Sequence, residues 1–151
     1  MLSTMTTQVS VIGSGEEWEG TAEEVGRLLA KRGCTVVTGG LDEVMAAAHR
    51  GAKAAGGTTI AILPGEDRAA ANPWADHVVV TGIGHARNLA VAASGDAVIA
   101  VGGSYGTIAE MALALRLGRT VVALAGAPEV EGAVPADTPT EAVDLALRHL
   151  G

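Results

Sequence analysis

Between Thr81 and Glu110 the chain reads TGIGHARNLAVAASGDAVIAVGGSYGTIAE. In it Arg87 precedes, and Glu110 follows, a glycine-rich segment, Gly102-Gly103-Ser104-Tyr105-Gly106-Thr107. Glycines where a strand turns into a helix let backbone N–H groups converge on an anion, and the helix dipole favours negative charge there. Gly103, Ser104, Tyr105, Gly106 and Thr107 are therefore candidate phosphate-binding residues, with the Ser104 hydroxyl as an extra donor. Arg87 stands near the start of a helix, the unfavourable end for a cation, which favours a role beside an anion cradle over a structural one. Glu110 has two compatible readings: a carboxylate acting on a bound ligand, or the closing residue of a Thr107-x-x-Glu110 capping box. Asn88 could orient a ligand hydroxyl or cap a turn. His85 reads as a loop residue.

These residues need a scaffold, and hydrophobic periodicity supplies one. Gln8 to Ile12, Cys34 to Val37, Thr59 to Leu63, His77 to Val80, Asp96 to Val101 and Thr120 to Ala123 read as strands. Helical patterns separate most of them: Trp18, Ala22, Val25, Leu28 and Leu29 recur at helical spacing, and a second helix runs from about Asp42 to Ala55. Ile108, Met111, Ala112 and Leu115 form an apolar face beyond the central glycine loop. Glu66 to Asp76 and Gly126 to Pro135 read as loops, and Thr138-Pro139-Thr140-Glu141 starts a last helix with a cap and a proline. Apolar strands alternating with helices predict a three-layer α/β/α Rossmann-like domain over residues 1–151, with a mostly parallel sheet of about six strands. The position of the fourth strand in the sheet is open.

Right-handed crossovers place the strand C-termini on one edge, where open α/β sheets bind ligands. Gly13-Ser14-Gly15, Gly39-Gly40, Gly82–Gly84 and Gly102–Gly106 all fall there. Gly13, Ser14, Gly39 and Gly40 thus join the candidate ligand-binding set. A dinucleotide fingerprint would need a third glycine where Trp18 stands and an acid closing the second strand, where Thr38-Gly39 stands. No glycine loop continues into Lys-Ser or Lys-Thr, which excludes a P-loop ATPase.

Composition narrows the function further. A formal charge of −7 and only two Trp, one Tyr and no Phe among 151 residues argue against nucleic acid as a partner. Cys34 is the only cysteine, so neither a disulfide framework nor a cysteine metal site is expected. No apolar run is long enough for a membrane span, and the expected location is the cytoplasm. Neither a metal nor a bound cofactor is expected.

The order GG…M…GA…ILP…AN…TGxGxARN…DAVIAVGG…GT…E resembles the Lonely Guy and molybdenum-cofactor-carrier group of Rossmann-like proteins, often mislabelled lysine decarboxylases. The resemblance runs from the first strand to about Leu124 and is nearest to the short bacterial subgroup with TG-x-G-x-ARN. Lonely Guy members hydrolyse the N-glycosidic bond of cytokinin nucleoside 5′-monophosphates. Their PGG-x-GT-x-x-E signature falls on Gly102 (for Pro), Gly103, Ser104 (for Gly), Tyr105, Gly106, Thr107 and Glu110, and their upstream arginine on Arg87. A second element, GG-x-x-G-x-M, falls on Gly39, Gly40 and Met45, with Glu43 in place of its last glycine.

By resemblance, then, Arg87 and Glu110 are the catalytic pair of a nucleoside 5′-monophosphate phosphoribohydrolase. The alternative the resemblance implies is a non-catalytic carrier or sensor of a nucleotide or a molybdenum cofactor, a pterin phosphate. Retention of both Arg87 and Glu110 favours the enzyme; Glu43, Ser104 and the missing proline favour the carrier. A carboxylate at position 43 would repel an anion, leaving the Gly39–Glu43 half to face ribose, base or a partner. The resemblance also implies a homodimer or higher homo-oligomer, with the Ala-rich helix from Ala86 to Ala93 at the interface. A pyridoxal decarboxylase is excluded by the lysines: Lys31 and Lys53 both lie in helices well past their glycine turns. Trp74 reads equally as a lid, a subunit contact or a loop anchor.

Overall fold

A computed structural model describes residues 5–150. Seven strands form one sheet: β1 (Gln8–Ser14), β2 (Thr35–Thr38), β3 (Thr59–Leu63), β4 (His77–Val80), β5 (Ala97–Gly102), β6 (Thr120–Leu124) and β7 (Val134–Ala136). Their order is β4-β3-β2-β1-β5-β6-β7, and every neighbouring pair is parallel. Helices α1 (Glu19–Lys31), α2 (Val44–Ala54) and α5 (Pro139–Leu147) cover one face. Helices α3 (Arg87–Ser94) and α4 (Tyr105–Arg116) cover the other. The three-layer α/β/α reading is borne out.

Strand side chains alternate between the two layers, as the pleat requires. Val9, Val11, Ala97, Ile99 and Val101 pack under α1, α2 and α5, while Ile12, Val98 and Ala100 pack under α3 and α4. Ser10 also sits on the α3 side, where its buried hydroxyl donates to the Val91 carbonyl at 2.6 Å. Helices α1 and α2 approach closely because Gly26 and Gly51 lack side chains. A Cβ on either would fall about 2 Å from the other helix's backbone, 2.0 Å from Ala48 O and 1.9 Å from Glu23 O.

One boundary differs from the sequence expectation, and one open position is fixed. The Gly126–Pro135 loop ends in the seventh strand, β7, whose three residues include Pro135. Proline supplies no N–H to a ladder, so it is tolerated only at an edge such as this one. The fourth strand takes the opposite edge, beside β3. The chain then returns from β4 through α3 to place β5 against β1. Strand β1 leads into α1 on one face and β5 into α4 on the other, so the sheet has its switch point between these two strand ends.

Candidate ligand-binding site

At the switch point, Gly13 and Ser14 remain in the β1 ladder, opposite Val101 and Gly102. The turn itself therefore begins at Gly15, two residues later than the glycine pattern suggests. Gly13 has φ 126°, and a Cβ there would stand 1.8 Å from Val101 O, so β1 and β5 can meet only with glycine at this position. Behind Gly15, Trp18 ends a 3-10 turn (Glu16–Trp18) and fills the space that glycines leave open. A Cβ on Gly102 or Gly126 would lie 2.2 Å from the indole. Trp18 thus braces the turns after β1, β5 and β6, a role its helical spacing did not reveal.

The β5–α4 turn is built differently. Ser104 is the N-cap of α4, and the Thr107 hydroxyl reaches back to accept from the Ser104 N–H at 3.3 Å. The capping box is thus Ser104 with Thr107, and Glu110 is not its closing residue. Tyr105 and Gly106 supply the first N–H groups of the helix, which have no intrahelical acceptors. Both residues are exposed, the first turn carries no acid, and a Cβ on Gly106 would meet no atom within 4 Å. Thr107, Met111 and Ala114 form the buried face of α4, whereas Ile108 and Ala112, placed inside by sequence, are exposed. This rotation brings Glu110 onto the sheet edge.

There Glu110 meets Arg87. Together with Val11, Ile12, Gly13, Gly39, Met45 and Asn88 they line a cavity of about 80 Å³. Burial raises the Glu110 carboxyl to about 7, with the Arg87 charge pulling the other way. Among the described residues the Glu110 carboxylate makes no hydrogen bond or ion pair. Arg87 is buried and heavily engaged. Its Nε donates to Ile62 O at 2.9 Å, its Nη2 to Gly39 O at 3.2 Å, and its Nη1 to the Asn88 side-chain oxygen. Burial lowers its pKa, and Glu110 opposes that shift. The guanidinium ties the ends of β2 and β3 to α3 while standing beside Glu110, and Asn88 orients it.

Gly39 and Gly40 are both buried and form the wall behind Arg87. Their turn is held by a polar network that sequence reading missed. Asn72 Nδ2 donates to the Gly40 and Leu41 carbonyls at 3.3 Å and to His49 Nδ1 at 3.2 Å. With Nδ1 accepting, His49 Nε2–H donates to Thr38 Oγ1 at 3.2 Å, and that oxygen also accepts from the Gly40 N–H at 2.9 Å. Burial pushes His49 down to about 4, so it is neutral in this network. The one available signal was a histidine on an otherwise apolar helix face.

A larger cleft, of about 890 Å³, opens beside this edge between α1 and α2. It is lined by Gly15, Glu16, Glu17, Glu19, Asp42, Glu43, Ala46, Arg50 and Trp74. In its loop the backbone N–H of Trp74 donates to Asn72 Oδ1 at 3.0 Å, and Arg50 lies 5.2 Å above the indole centroid. His85 is exposed in a 3-10 turn and joins neither space. Ser14 and the Gly103–Thr107 turn lie outside both cavities, along the open crest. Among the described residues no group of three or more His, Cys, Asp or Glu could hold a metal ion, and no helix is long and apolar enough to cross a membrane.

Known proteins resemble this chain in sequence and in fold. An uncharacterised protein of Archaeoglobus fulgidus is 44% identical over 143 residues, covering 93% of this chain and 94% of its own. The molybdenum cofactor binding protein of Rippkaea orientalis superimposes with a TM-score of 0.92 at 30% identity, over 99% of this chain and 100% of that one. The molybdenum cofactor carrier protein of Chlamydomonas reinhardtii gives a TM-score of 0.87 at 33% identity, over 97% and 99% of the two chains. These likenesses bear out the resemblance drawn from the glycine turns. The model of the SLOG cluster4 family matches residues 6–146, and the chain belongs to that family.

Proposed function

We propose that this protein binds a phosphate-bearing, nucleotide-like ligand over the Gly103–Thr107 turn and releases it unchanged, as a carrier or sensor. The size of the space beside Glu110 carries this reading. At about 80 Å³ this cavity is far smaller than the ~300–1,000 Å³ that small-molecule sites usually occupy. A ribose and its base do not fit against Glu110 there, so the ligand lies over the open crest with its phosphate on the free N–H groups of α4. The names of the Rippkaea and Chlamydomonas proteins favour a pterin phosphate among such ligands.

One observation supports a second reading, the phosphoribohydrolase. The Glu110 side chain has no hydrogen-bond partner, faces a cation, and has its carboxyl at about 7, suited to proton transfer near neutral pH. On that reading Glu110 would donate a proton to the departing base or steady the charge that builds on the ribose, and Arg87 would supply its remaining N–H groups. Incubation with a panel of nucleoside 5′-monophosphates separates the two. Ligand recovered intact after binding is the expected result; free base and ribose 5-phosphate would establish the hydrolase.

The same reading includes a homodimer through β4 and α3. Val79, Val80, Ile83 and Leu89 are exposed apolar residues on these consecutive elements, and β4 is an uncovered sheet edge. Light scattering at micromolar concentration should give twice the chain mass; a monomer mass would contradict it.

A further inference from the structure

Among the described residues Glu43 is the only non-glycine residue with left-handed φ, at φ 54° and ψ −123°. A glycine would adopt this conformation without strain. Glu43 is the N-cap of α2, yet its side chain does not cap that helix. Instead its carboxylate crosses to the neighbouring turn, where Oε2 accepts from the Gly15 N–H at 3.1 Å. Gly15 is the first residue beyond β1, so this N–H is a donor that an anion at the switch point would use. The chain's own carboxylate already holds it.

We infer that Glu43 sets the specificity of the ligand site: it occupies the anion position of the β1 turn and confines the ligand to a single phosphate, on the β5–α4 turn. This rests on the binding reading above. Ser14 pairs with Gly102, and neighbouring strands lie ~4.8 Å apart, so the two turns face one ligand. A diphosphate anchored on Gly103–Thr107 would bring its second phosphate over Gly15. There it would find the donor taken and a like charge in its place, with Glu16, Glu17 and Asp42 lining the cleft beyond. A sugar hydroxyl or a ring N–H, by contrast, could donate to the lone pairs Glu43 leaves free. The ligand class is a monophosphate ester whose other end is uncharged and carries hydrogen-bond donors.

Amide-resolved NMR titration tests this, using inorganic phosphate and a matched nucleoside mono- and diphosphate. In the parent protein, phosphate should shift the Gly103–Thr107 amides and leave Gly15 in place, and the monophosphate should bind about tenfold tighter than the diphosphate, the scale of one charge-assisted hydrogen bond. In Glu43→Gly, which removes both the acceptor and the φ constraint, the Gly15 amide should respond to phosphate and the tenfold preference should disappear; Glu43→Gln, whose amide oxygen can still accept from Gly15, removes only the like charge and should reduce the preference in part. A Gly15 amide that follows phosphate in the parent, or a preference unchanged in both variants, overturns the inference. If the Gly103–Thr107 amides respond while the variants show no gain, only Glu43's role falls. If those amides ignore every ligand in the parent, the phosphate cradle falls as well.

Discussion

The turns after β1 and β5 lie side by side, and both begin with glycines, yet they are opposite in character. The β1 turn is filled from within. Trp18 packs behind it, Glu43 takes the Gly15 N–H, and Gly13 is locked against Val101. The neighbouring β2 turn is likewise closed, by Asn72, His49, Thr38 and Arg87. The β5 turn is open: Ser104, Tyr105 and Gly106 are exposed and no acid stands in the first turn of α4. A glycine-rich turn therefore signals a site only when its donors are left free. Where the chain satisfies them itself, the glycines serve packing.

Substitutions on the two sides should separate packing from binding. The largest effect is expected for Gly13→Ala, whose Cβ would overlap the Val101 carbonyl in a backbone conformation hostile to L residues. It should cost about 3 kcal/mol or more, read as a large fall in thermal midpoint. A midpoint near the parent's would mean that the β1–β5 contact is looser than described. Asn72→Ala comes next, because it leaves His49 Nδ1 and the Leu41 carbonyl without their donor, while the Gly40 carbonyl keeps the backbone N–H of residue 72. About 2 kcal/mol is expected in denaturant unfolding.

The smaller effects are pH-dependent and of opposite sign. His49 has a folded value of about 4, below its ordinary 6.5. Its contribution is present above pH 6.5 and lost as pH falls toward 4, so thermal midpoints should decline over that range. Replacing His49 by Gln should flatten the decline. Glu110 has a folded value of about 7, above its ordinary 4.5. Its contribution is full below pH 4.5 and lost as pH rises through 7. Glu110→Gln should therefore match the parent near pH 4.5 and be the more stable protein at pH 8. Parallel pH profiles for parent and variant would show that Glu110 is solvated rather than buried beside Arg87.

How much of this was legible in the sequence depended on whether a pattern had one physical cause. Strand–helix alternation has one, and it placed the parallel sheet and the C-terminal edge correctly. Arg87 and Glu110 were brought together as their positions beside the glycine loop implied. Thr107-x-x-Glu110, however, fits a capping box equally well, and only the N-cap at Ser104, with Thr107 reaching back to it, shows that α4 starts one turn earlier. Strand β7 carried no signal, because three residues with a central proline form a strand only when an edge is offered. The Glu43–Gly15 contact and the His49 network join residues 28 and 23 positions apart, across elements whose pairing local patterns do not specify.

The central claim is that the open β5–α4 turn holds the ligand's phosphate. Calorimetric titration of a nucleoside 5′-monophosphate into the parent and into Gly106→Val tests it most directly. A valine at 106 meets no protein atom within 4 Å of its Cβ but projects from the first turn of α4. Loss of binding by about 100-fold or more at an unchanged thermal midpoint is expected, since the side chain would displace the anion from those N–H groups. Equal affinity in the two proteins would contradict the claim.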